Sequence, residues 1–249
     1  MTARELRIAP IRGLSEVREG DELGRLIAEA SRPAADDVVV ISQKVVSKSE
    51  GRLCRLDRVE PGERARELAE SLEKDPAMVE LVLTESARVV RAERGVLITE
   101  TNAGWICANA GIDASNLEDG WVALLPVDAD VSAHTIRAQI AGATGGAPAV
   151  VIADSYGRPW RRGQSDIAIG CAGIEPIADW RGRKDRGGRA LSATEVAIAD
   201  ELAGAADLTR DKDSGAPGAV ISGLGTLVTP GDGPGAAALR RAAEDDLFR

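Results

Sequence analysis

The sequence predicts a mixed fold of the α+β class, in which helices flank sheets, and three segments support this. Residues 38–42 (V-V-V-I-S) and 149–153 (A-V-V-I-A) are continuous apolar runs, as found in strands buried on both faces. Residues 191–208 instead carry alanine and other apolar side chains at helical spacing. Strands and helices therefore alternate along the chain, with no internal repeat.

The other elements follow from local patterns in chain order. Apolar or β-branched runs bounded by turn residues predict strands, at residues 6–10, 38–42, 89–91, 96–100, 105–108, 121–125, 149–153 and 219–222. Helical spacing predicts a helix at residues 23–30, after a Gly20-Asp21 cap, and another at residues 191–208. Residues 61–85 are expected to form two helices that are separated at Pro76. A further helix is expected to begin at Ser132 and to contain His134. Residues 142–148 read as a loop, and residues 229–235 as a Pro/Gly linker before a terminal helix.

Composition limits the function classes. The chain has 249 residues, 44% of them hydrophobic, and a net charge of −9, which fits one globular module of residues 1–249 with two sub-lobes and excludes an extended nucleic-acid surface. Three cysteines without metal-ligand spacing indicate reduced thiols. Because no segment resembles a signal peptide or a membrane span, we expect a cytoplasmic protein with no membrane partner.

The most informative stretch is residues 150–166, V-V-I-A-D-S-Y-G-R-P-W-R-R-G-Q-S-D. A buried strand is expected to end at Asp154 and Ser155, which places two hard oxygen ligands at the carboxyl edge of a sheet, where α/β folds bind ligands. The glycine turn that follows carries Arg158, Trp160 and Arg161, and guanidinium groups suit phosphates or carboxylates. The alternative is a capped loop with solvated arginines.

A second segment, residues 107–116 (C-A-N-A-G-I-D-A-S-N), supplies Asp113 and Asn116 in a loop between strands. Aspartates from two loops at strand edges could share a divalent cation, and oxygen-only ligation favours Mg²⁺ or Mn²⁺. A helix N-cap at Asp113 is the structural alternative.

A third polar stretch follows the strand at 38–42. We expect a loop that contains Ser42, Gln43, Lys44 and Lys48, whose lysines could neutralise phosphates as point charges. A lysine pair on a solvated turn is equally compatible with the residues. No G-x-x-x-x-G-K-[ST] motif occurs, and His134 is interpreted as a surface or interface residue.

Together these segments resemble the coenzyme F420-0:L-glutamate ligases (gamma-glutamyl ligases), which add glutamate to the precursor of the deazaflavin cofactor F420. The resemblance covers nearly the whole chain in order. Its motifs are G-L-S-E at 13–16, V-V-S-K-S-E-G-R at 45–52, I-T-E-T-N at 98–102, A-G-I-D-A-S-N at 110–116, L-L-P-V-D at 124–128, A-D-S-Y-G-R-P-W-R-R-G-Q-S-D at 153–166 and the helix at 194–208. Some members carry a nitroreductase-like carboxyl-terminal domain; this chain stops after the ligase module, so we expect no second activity.

The resemblance implies a GTP-dependent amide ligase that forms an acyl phosphate and then a gamma-glutamyl product from F420-0, L-glutamate and GTP. It also implies two divalent ions, Mg²⁺ or Mn²⁺, with K⁺ as a further cation, and a two-lobed, intertwined homodimer. The implied metal ligands are Asp113, Asp154 and Ser155, where serine replaces the more usual threonine. The implied nucleotide contacts are Leu14, Ser15, Glu16, Val17, Lys48, Asn116 and either Ser42 or Gln43.

The arginine loop is interpreted as the acceptor site, formed by Arg158, Trp160 and Arg161. The acceptor has a flat ring, a phosphodiester and a carboxylate, so it requires aromatic surface and positive charge, and Tyr156 and Trp160 supply most of the aromatic area near Asp154. The alternative places Trp160 in the core, since tryptophan is highly buried on average. Two other functions remain open: an amide ligase for a different acid, and a non-catalytic module that binds a phosphorylated ligand.

Overall fold

The computed structural model describes residues 5–210 and 214–247. The strands are β1 (Arg7–Pro10), β2 (Val38–Ser42), β3 (Leu53–Arg55), β4 (Ser86–Glu93), β5 (Val96–Thr101), β6 (Ile106–Ala108), β7 (Trp121–Ala123), β8 (Ala149–Arg158), β9 (Arg161–Ala172), β10 (Ala178–Asp179), β11 (Glu195–Val196) and β12 (Gly218–Ser222). The helices are α1 (Leu23–Ser31), α2 (Gln43–Ser49), α3 (Glu63–Leu72), α4 (Pro76–Thr84), α5 (Ala129–Thr144) and α6 (Ile198–Asp207).

A five-stranded sheet in the order β1-β12-β2-β8-β9 forms the centre of the fold. Strands β2 and β8 are parallel, whereas the other neighbours pair antiparallel. Ser42 lies opposite Ala153 in this parallel pair, so the carboxyl end of β2 lies beside the point where β8 reaches Asp154. The polar residues that follow both apolar runs are thereby brought to one edge.

The two faces of this sheet are covered by different helices. Val39 and Ile41 pack in a hydrophobic cluster that includes residues of α1 and α5, whereas Val38 and Val40 pack in a second cluster with residues of α6. Successive side chains of a strand point to opposite faces, so a continuous apolar run is what a sheet covered on both sides requires.

A third hydrophobic cluster lies under the smaller sheets. Leu72 of α3 and Val82 of α4 pack there with Leu97 of β5 and Val122 of β7. The sheets involved are the pair β3-β7 and the three-stranded sheet β4-β5-β6. The mixture of a central mixed sheet, separate antiparallel sheets and flanking helices confirms the α+β class.

The polar stretch after β2 was expected to be a loop, and that prediction is wrong. Residues Gln43–Ser49 form helix α2, with the extended residue Ser42 at its N-cap. Gln43 and Ser47 are buried, and the Ser47 hydroxyl donates to the Leu124 carbonyl. Packing of one helical face against the segment after β7 overrides a composition that is polar overall.

The hairpin of β8 and β9 also departs from expectation. The strand was expected to end at Asp154 and Ser155, but β8 continues to Arg158 and pairs with β9 along its length. Both residues therefore lie within a strand, held by cross-strand hydrogen bonds, and the turn falls at Pro159 and Trp160 rather than at the glycine.

Other boundaries need smaller corrections. The segment 121–125 was expected to supply a core strand, but β7 pairs with β3 outside the central sheet. Helix α5 opens at Asp128, whose carboxylate accepts from two backbone N–H groups, rather than at Ser132. Helix α6 begins only at Ile198, because residues 195–196 form β11. The expected terminal helix is replaced by short 3₁₀ turns.

Within the residues described, no helix is long and apolar enough to cross a membrane.

We expect Gly170→Ala to reduce the free energy of unfolding by about 1–3 kcal/mol, as overpacking of a core does. A Cβ at Gly170 on β9 would overlap the backbone of Ala129 at the start of α5. The matched control is Gly142→Ala within α5, where a Cβ meets nothing within 4 Å; it should leave stability unchanged or raise it by roughly 0.5–1 kcal/mol. Urea unfolding of both variants gives the comparison, and equal stabilities would contradict this view of the β9–α5 contact.

Candidate functional site

A cleft of about 430 Å³ opens at the carboxyl ends of β2 and β8. It brings together eight of the residues singled out from the sequence, which come from four separate segments of the chain. They are Glu16, Ser42, Gln43, Lys48, Asp113, Asn116, Asp154 and Ser155. Parallel pairing explains their convergence, because it directs both strand ends to the same edge.

Helix α2 supplies the positive charge of the cleft. Lys44 and Lys48 are one turn apart and therefore lie on the same helical face. Lys44 Nζ is 2.8 Å from Asp113 Oδ2, and Lys48 Nζ is 2.8 Å from Glu16 Oε1. The hydrogen bond from Lys48 lowers the pKa of Glu16. Both ammonium groups are thus paired with carboxylates that also line the cleft.

Asp113 is held in place by its backbone and its side chain. Its backbone exchanges two hydrogen bonds with Ala123 at the end of β7, and the backbone N–H and hydroxyl of Ser115 donate to its carboxylate. Burial favours the protonated form, but the bonds from Lys44 and Ser115 outweigh it and lower the pKa of Asp113. The group is therefore a fixed anion at neutral pH.

Asp154 behaves in the opposite way. Its pKa is raised from 3.8 to about 7, first by burial and then by the charges of Asp113 and Asp166, while the backbone bond from Ser155 and the charge of Lys44 oppose the rise. A carboxylate that faces two others in a poorly hydrated place is short of positive charge. This position is where a bound cation would lower the free energy most.

Ser155 belongs to a buried network that crosses from β8 to the segment after α6. Its hydroxyl donates to Asp166 Oδ1 at 2.6 Å, and Arg210 donates to Asp166 Oδ2 at 2.6 Å. The side chains of Asp166 and Arg210 are 6% and 7% exposed. Since the hydroxyl proton is directed at Asp166, the hydroxyl oxygen acts as an acceptor toward its other neighbours.

Sequence reasoning named Lys44 only as one of two lysines that could neutralise phosphates, and it did not select Asp166 or Arg210. Asp166 lies in the quoted 153–166 motif, and hairpin pairing of that motif would have placed it opposite Ser155. Lys44 would have followed from reading residues 43–49 as a helix. No local sequence pattern indicates a role for Arg210, because its partner Asp166 lies 44 residues earlier in the chain.

A second cavity, of about 660 Å³, adjoins the first cleft at the aspartates. It shares Asp113, Ser115, Asp154 and Ser155 with the first cleft. The remainder of its wall comes from β5, β6, the turn that follows β6, and the hairpin of β8 and β9. It includes Ile98, Ile106, Cys107, Asn109, Ile112, Tyr156, Arg158, Pro159 and Gln164. The two cavities therefore meet at a common wall of carboxylates.

The arginine loop lies only partly at this wall. Arg158 lines the second cavity, whereas Trp160 and Arg161 are exposed residues around the hairpin turn and line neither cavity. Trp160 is 81% exposed and has a left-handed backbone, so its alternative placement in the core is wrong.

The amino-terminal loop reaches the cleft through one side chain. Of residues 14–17, only Glu16 lines the first cleft. Val17 is buried in the core and Leu14 packs against it, while Ser15 is exposed. His134 is half-buried on α5 and lines neither cavity, so the surface interpretation is only partly correct.

Comparison with known proteins gives a consistent answer. The sequence profile described as F420-0:gamma-glutamyl ligase matches residues 13–223. A coenzyme F420:L-glutamate ligase of Methanopyrus kandleri is 42% identical over 98% of both chains. The ligase of the same name from Methanothermobacter thermautotrophicus is 40% identical over 96% of this chain and 97% of its own, and that of Archaeoglobus fulgidus is 39% identical over 98% and 96%.

The matched range contains both strand ends, helix α2 and every residue that lines the cleft. A profile over most of the chain and relatives near 40% identity along its length lead to one conclusion: this chain belongs to the F420-0:gamma-glutamyl ligase family.

Proposed function

We propose that this protein joins L-glutamate to the carboxylate of the deazaflavin precursor F420-0 and uses GTP to activate that carboxylate. The observation that carries the proposal is the cleft in which the lysines of α2 face Asp113 and Asp154. The acceptor carboxylate oxygen attacks the γ-phosphorus, and the bond to GDP breaks. The glutamate amine then attacks the acyl carbon, and phosphate and a proton leave.

GTP is assigned to the first cleft. Its phosphates would receive charge from Lys44 and Lys48, which at present pair with Asp113 and Glu16. Ser42 is the better candidate than Gln43 for a nucleotide contact, because Gln43 is 1% exposed and its amide oxygen accepts from Ser47. Leu14, Ser15, Val17 and Asn116 remain predicted contacts. Phosphoryl transfer depends mainly on positioning and electrostatics, which explains a site without histidine.

The donor set fits a divalent cation that also binds substrate. Asp113, Asp154 and Ser155 offer only oxygen, which Mg²⁺ and Mn²⁺ prefer, and the raised pKa of Asp154 indicates a local lack of positive charge. No group of three His, Cys, Asp or Glu side chains suited to a metal occurs among residues 5–210 and 214–247. The remaining ligands would be water or phosphate oxygens, as is usual for Mg²⁺. A bound cation would supply charge neutralisation at the transferring phosphoryl group.

Three finer assignments extend the proposal. Arg158, with Trp160 and Arg161 beyond it on the hairpin, is assigned to the acceptor, and only Arg158 lines a cavity beside the aspartates. A homodimer and a K⁺ ion remain predictions that follow from the family resemblance.

The test of the function is mass spectrometry of F420-0 after incubation with the protein, L-glutamate, GTP and Mn²⁺. We expect a mass gain of one or more glutamyl units and release of GDP. Asp113→Ala and Asp154→Ala should each abolish the gain while circular dichroism stays unchanged, because charge neutralisation at the γ-phosphate is lost. Asp185→Ala, in an exposed segment, is the control for loss of one negative charge. Product formation by Asp154→Ala at the wild-type rate would refute the assignment.

Lys48→Ala should weaken GTP binding by about 1.5–3 kcal/mol, the contribution of a hydrogen bond to a charged group. Calorimetric titration with GTP measures the effect. Lys184→Ala removes the same charge from an exposed segment away from the cleft and should bind GTP like the wild type. If Lys48→Ala binds GTP with unchanged affinity, Lys48 does not contact the nucleotide and is only a solvated partner of Glu16.

Asp154→Asn should stabilise the metal-free protein at pH 8. The folded pKa of Asp154 is raised from 3.8 to about 7, so the folded state binds its proton more tightly than the unfolded state, and stability falls as pH rises from about 4 to 7. Each pKa unit corresponds to about 1.4 kcal/mol, and partial access to water reduces the total. We expect a gain of roughly 2–4 kcal/mol in urea unfolding at pH 8 and almost none at pH 4; a gain that does not depend on pH would contradict this cause.

A further inference from the structure

The second cavity adjoins the proposed GTP site, and binding of GTP in the first cleft leaves the second cavity without a function. Asp113, Ser115, Asp154 and Ser155 form a wall common to both. A phosphoryl transfer needs the donor and the accepting carboxylate in line at one point. If GTP occupies the first cleft, the accepting carboxylate can reach the same aspartates from the second cavity.

The lining of the second cavity differs in chemistry from that of the first. Ile98, Ile106, Ile112 and Pro159 give it apolar walls, and Asn109, Tyr156, Arg158 and Gln164 add polar groups beside the shared aspartates. Pockets for drug-sized ligands have this composition and volumes of about 300–1,000 Å³, and this cavity has about 660 Å³. The first cleft is lined mostly by charged and polar groups. The second cavity therefore suits a ligand with a large flat apolar part.

Two polar atoms in this wall are poorly paired. The Asn109 amide oxygen is buried and accepts no hydrogen bond from the described residues, and the buried Tyr156 hydroxyl has only the Cys107 thiol beside it. Tyr156 is 9% exposed, and the group beside its hydroxyl is the Cys107 thiol, which is a weak partner. Buried polar groups in proteins are nearly always satisfied, so both atoms are available to a ligand.

The backbone at the same wall is strained. Asn109, Ala110 and Gly111 have consecutive φ values of 51°, 52° and 72°, and left-handed conformations are uncommon for residues other than glycine and asparagine. Such strain persists where the surroundings impose it, and it concentrates at ligand sites. Here it holds the side chain of Asn109 at the cavity wall.

Arg158 adds a positive charge that the protein leaves uncompensated. Its guanidinium donates to the carbonyl oxygens of Gly163 and Arg162 and pairs with no carboxylate in the described parts of the chain. In contrast, Lys44, Lys48 and Arg210 of the first cleft are all in ion pairs. An anionic group of a ligand would complete the charge balance at Arg158.

We propose that the second cavity is the binding site for the carboxylate acceptor, an acid that carries a flat ring and a phosphodiester, and that Asn109, Tyr156 and Arg158 recognise it. This rests on the proposed function. The isoleucine walls favour the ring-bearing acceptor over L-glutamate, which has no comparable apolar surface. Asn109 and Tyr156 hold the acceptor, and Arg158 binds its phosphodiester, so that its carboxylate faces the shared aspartates.

Steady-state kinetics of three variants tests the site, with each substrate varied in turn. Tyr156→Phe removes only the hydroxyl, and Asn109→Gly removes the amide but accepts the left-handed backbone. Each should raise the KM for F420-0 about 3- to 10-fold, as loss of a neutral hydrogen bond does, and leave the KM for GTP unchanged. Arg158→Ala should raise it by about 10-fold or more, whereas Arg186→Ala, which removes an exposed arginine elsewhere, should have no effect.

Stability measurements separate recognition from structural support. Since the Tyr156 hydroxyl has no strong partner in the protein, Tyr156→Phe should unfold at the same urea concentration as the wild type or at a higher one. An unchanged KM for F420-0 in all three variants, or an increase confined to L-glutamate, would overturn the proposal while product formation by the wild type upholds the ligase function. If the wild type forms no product, calorimetric titration with F420-0 tests the cavity alone. Tight binding of F420-0 to the wild type and weaker binding to the three variants would support the cavity as its site. Equal affinity of the wild type and the variants would refute it.

Discussion

Parallel pairing of β2 with β8 is the constraint on which the rest of the structure depends. It forces two apolar runs, more than a hundred residues apart in sequence, to end at the same edge of the sheet. Both strands are covered on both faces by helices. The polar residues that follow each strand can therefore lie outside the core only at this edge. Helix α2 begins there, and β8 reaches Asp154 there.

The carboxylates at this edge of the sheet differ in whether a cation of the protein pairs with them. Asp113 is fixed as an anion by Lys44 and Ser115, and Asp166 is paired with Arg210. Asp154 lies between these pairs with a pKa raised to about 7. Among the described residues of this edge, Asp113 and Asp166 each have a cation in direct contact, whereas Asp154 has none in an ion pair. An incoming cation or polyphosphate would compete for these pairings, because it carries a charge opposite to one partner of each pair.

The common wall also accounts for the extended hairpin. If β8 ended at Ser155, as the composition suggests, Tyr156 and Arg158 would lie in a loop. Pairing with β9 instead holds Ser155 opposite Asp166 and carries Arg158 along the second cavity. The same hairpin therefore orders a hydroxyl at the wall common to both cavities and a guanidinium beside the second cavity. Rigid elements of this kind position reacting groups better than loops do.

The sequence by itself determined the α+β class, β2 and the core of β8, and the residues at their ends, because burial on two faces demands continuous apolar runs and such runs are visible locally. The family motifs also predicted roles for Asp113, Asp154, Ser155 and Lys48, and the structure brings these four residues to one cleft. Only the tertiary structure decided that Lys44 and Lys48 share a helical face, that Arg210 pairs with Asp166, and that Trp160 is exposed rather than buried. The physical reason is that these features depend on packing and ion pairs between segments far apart in the chain, whose energies leave no periodicity in the sequence.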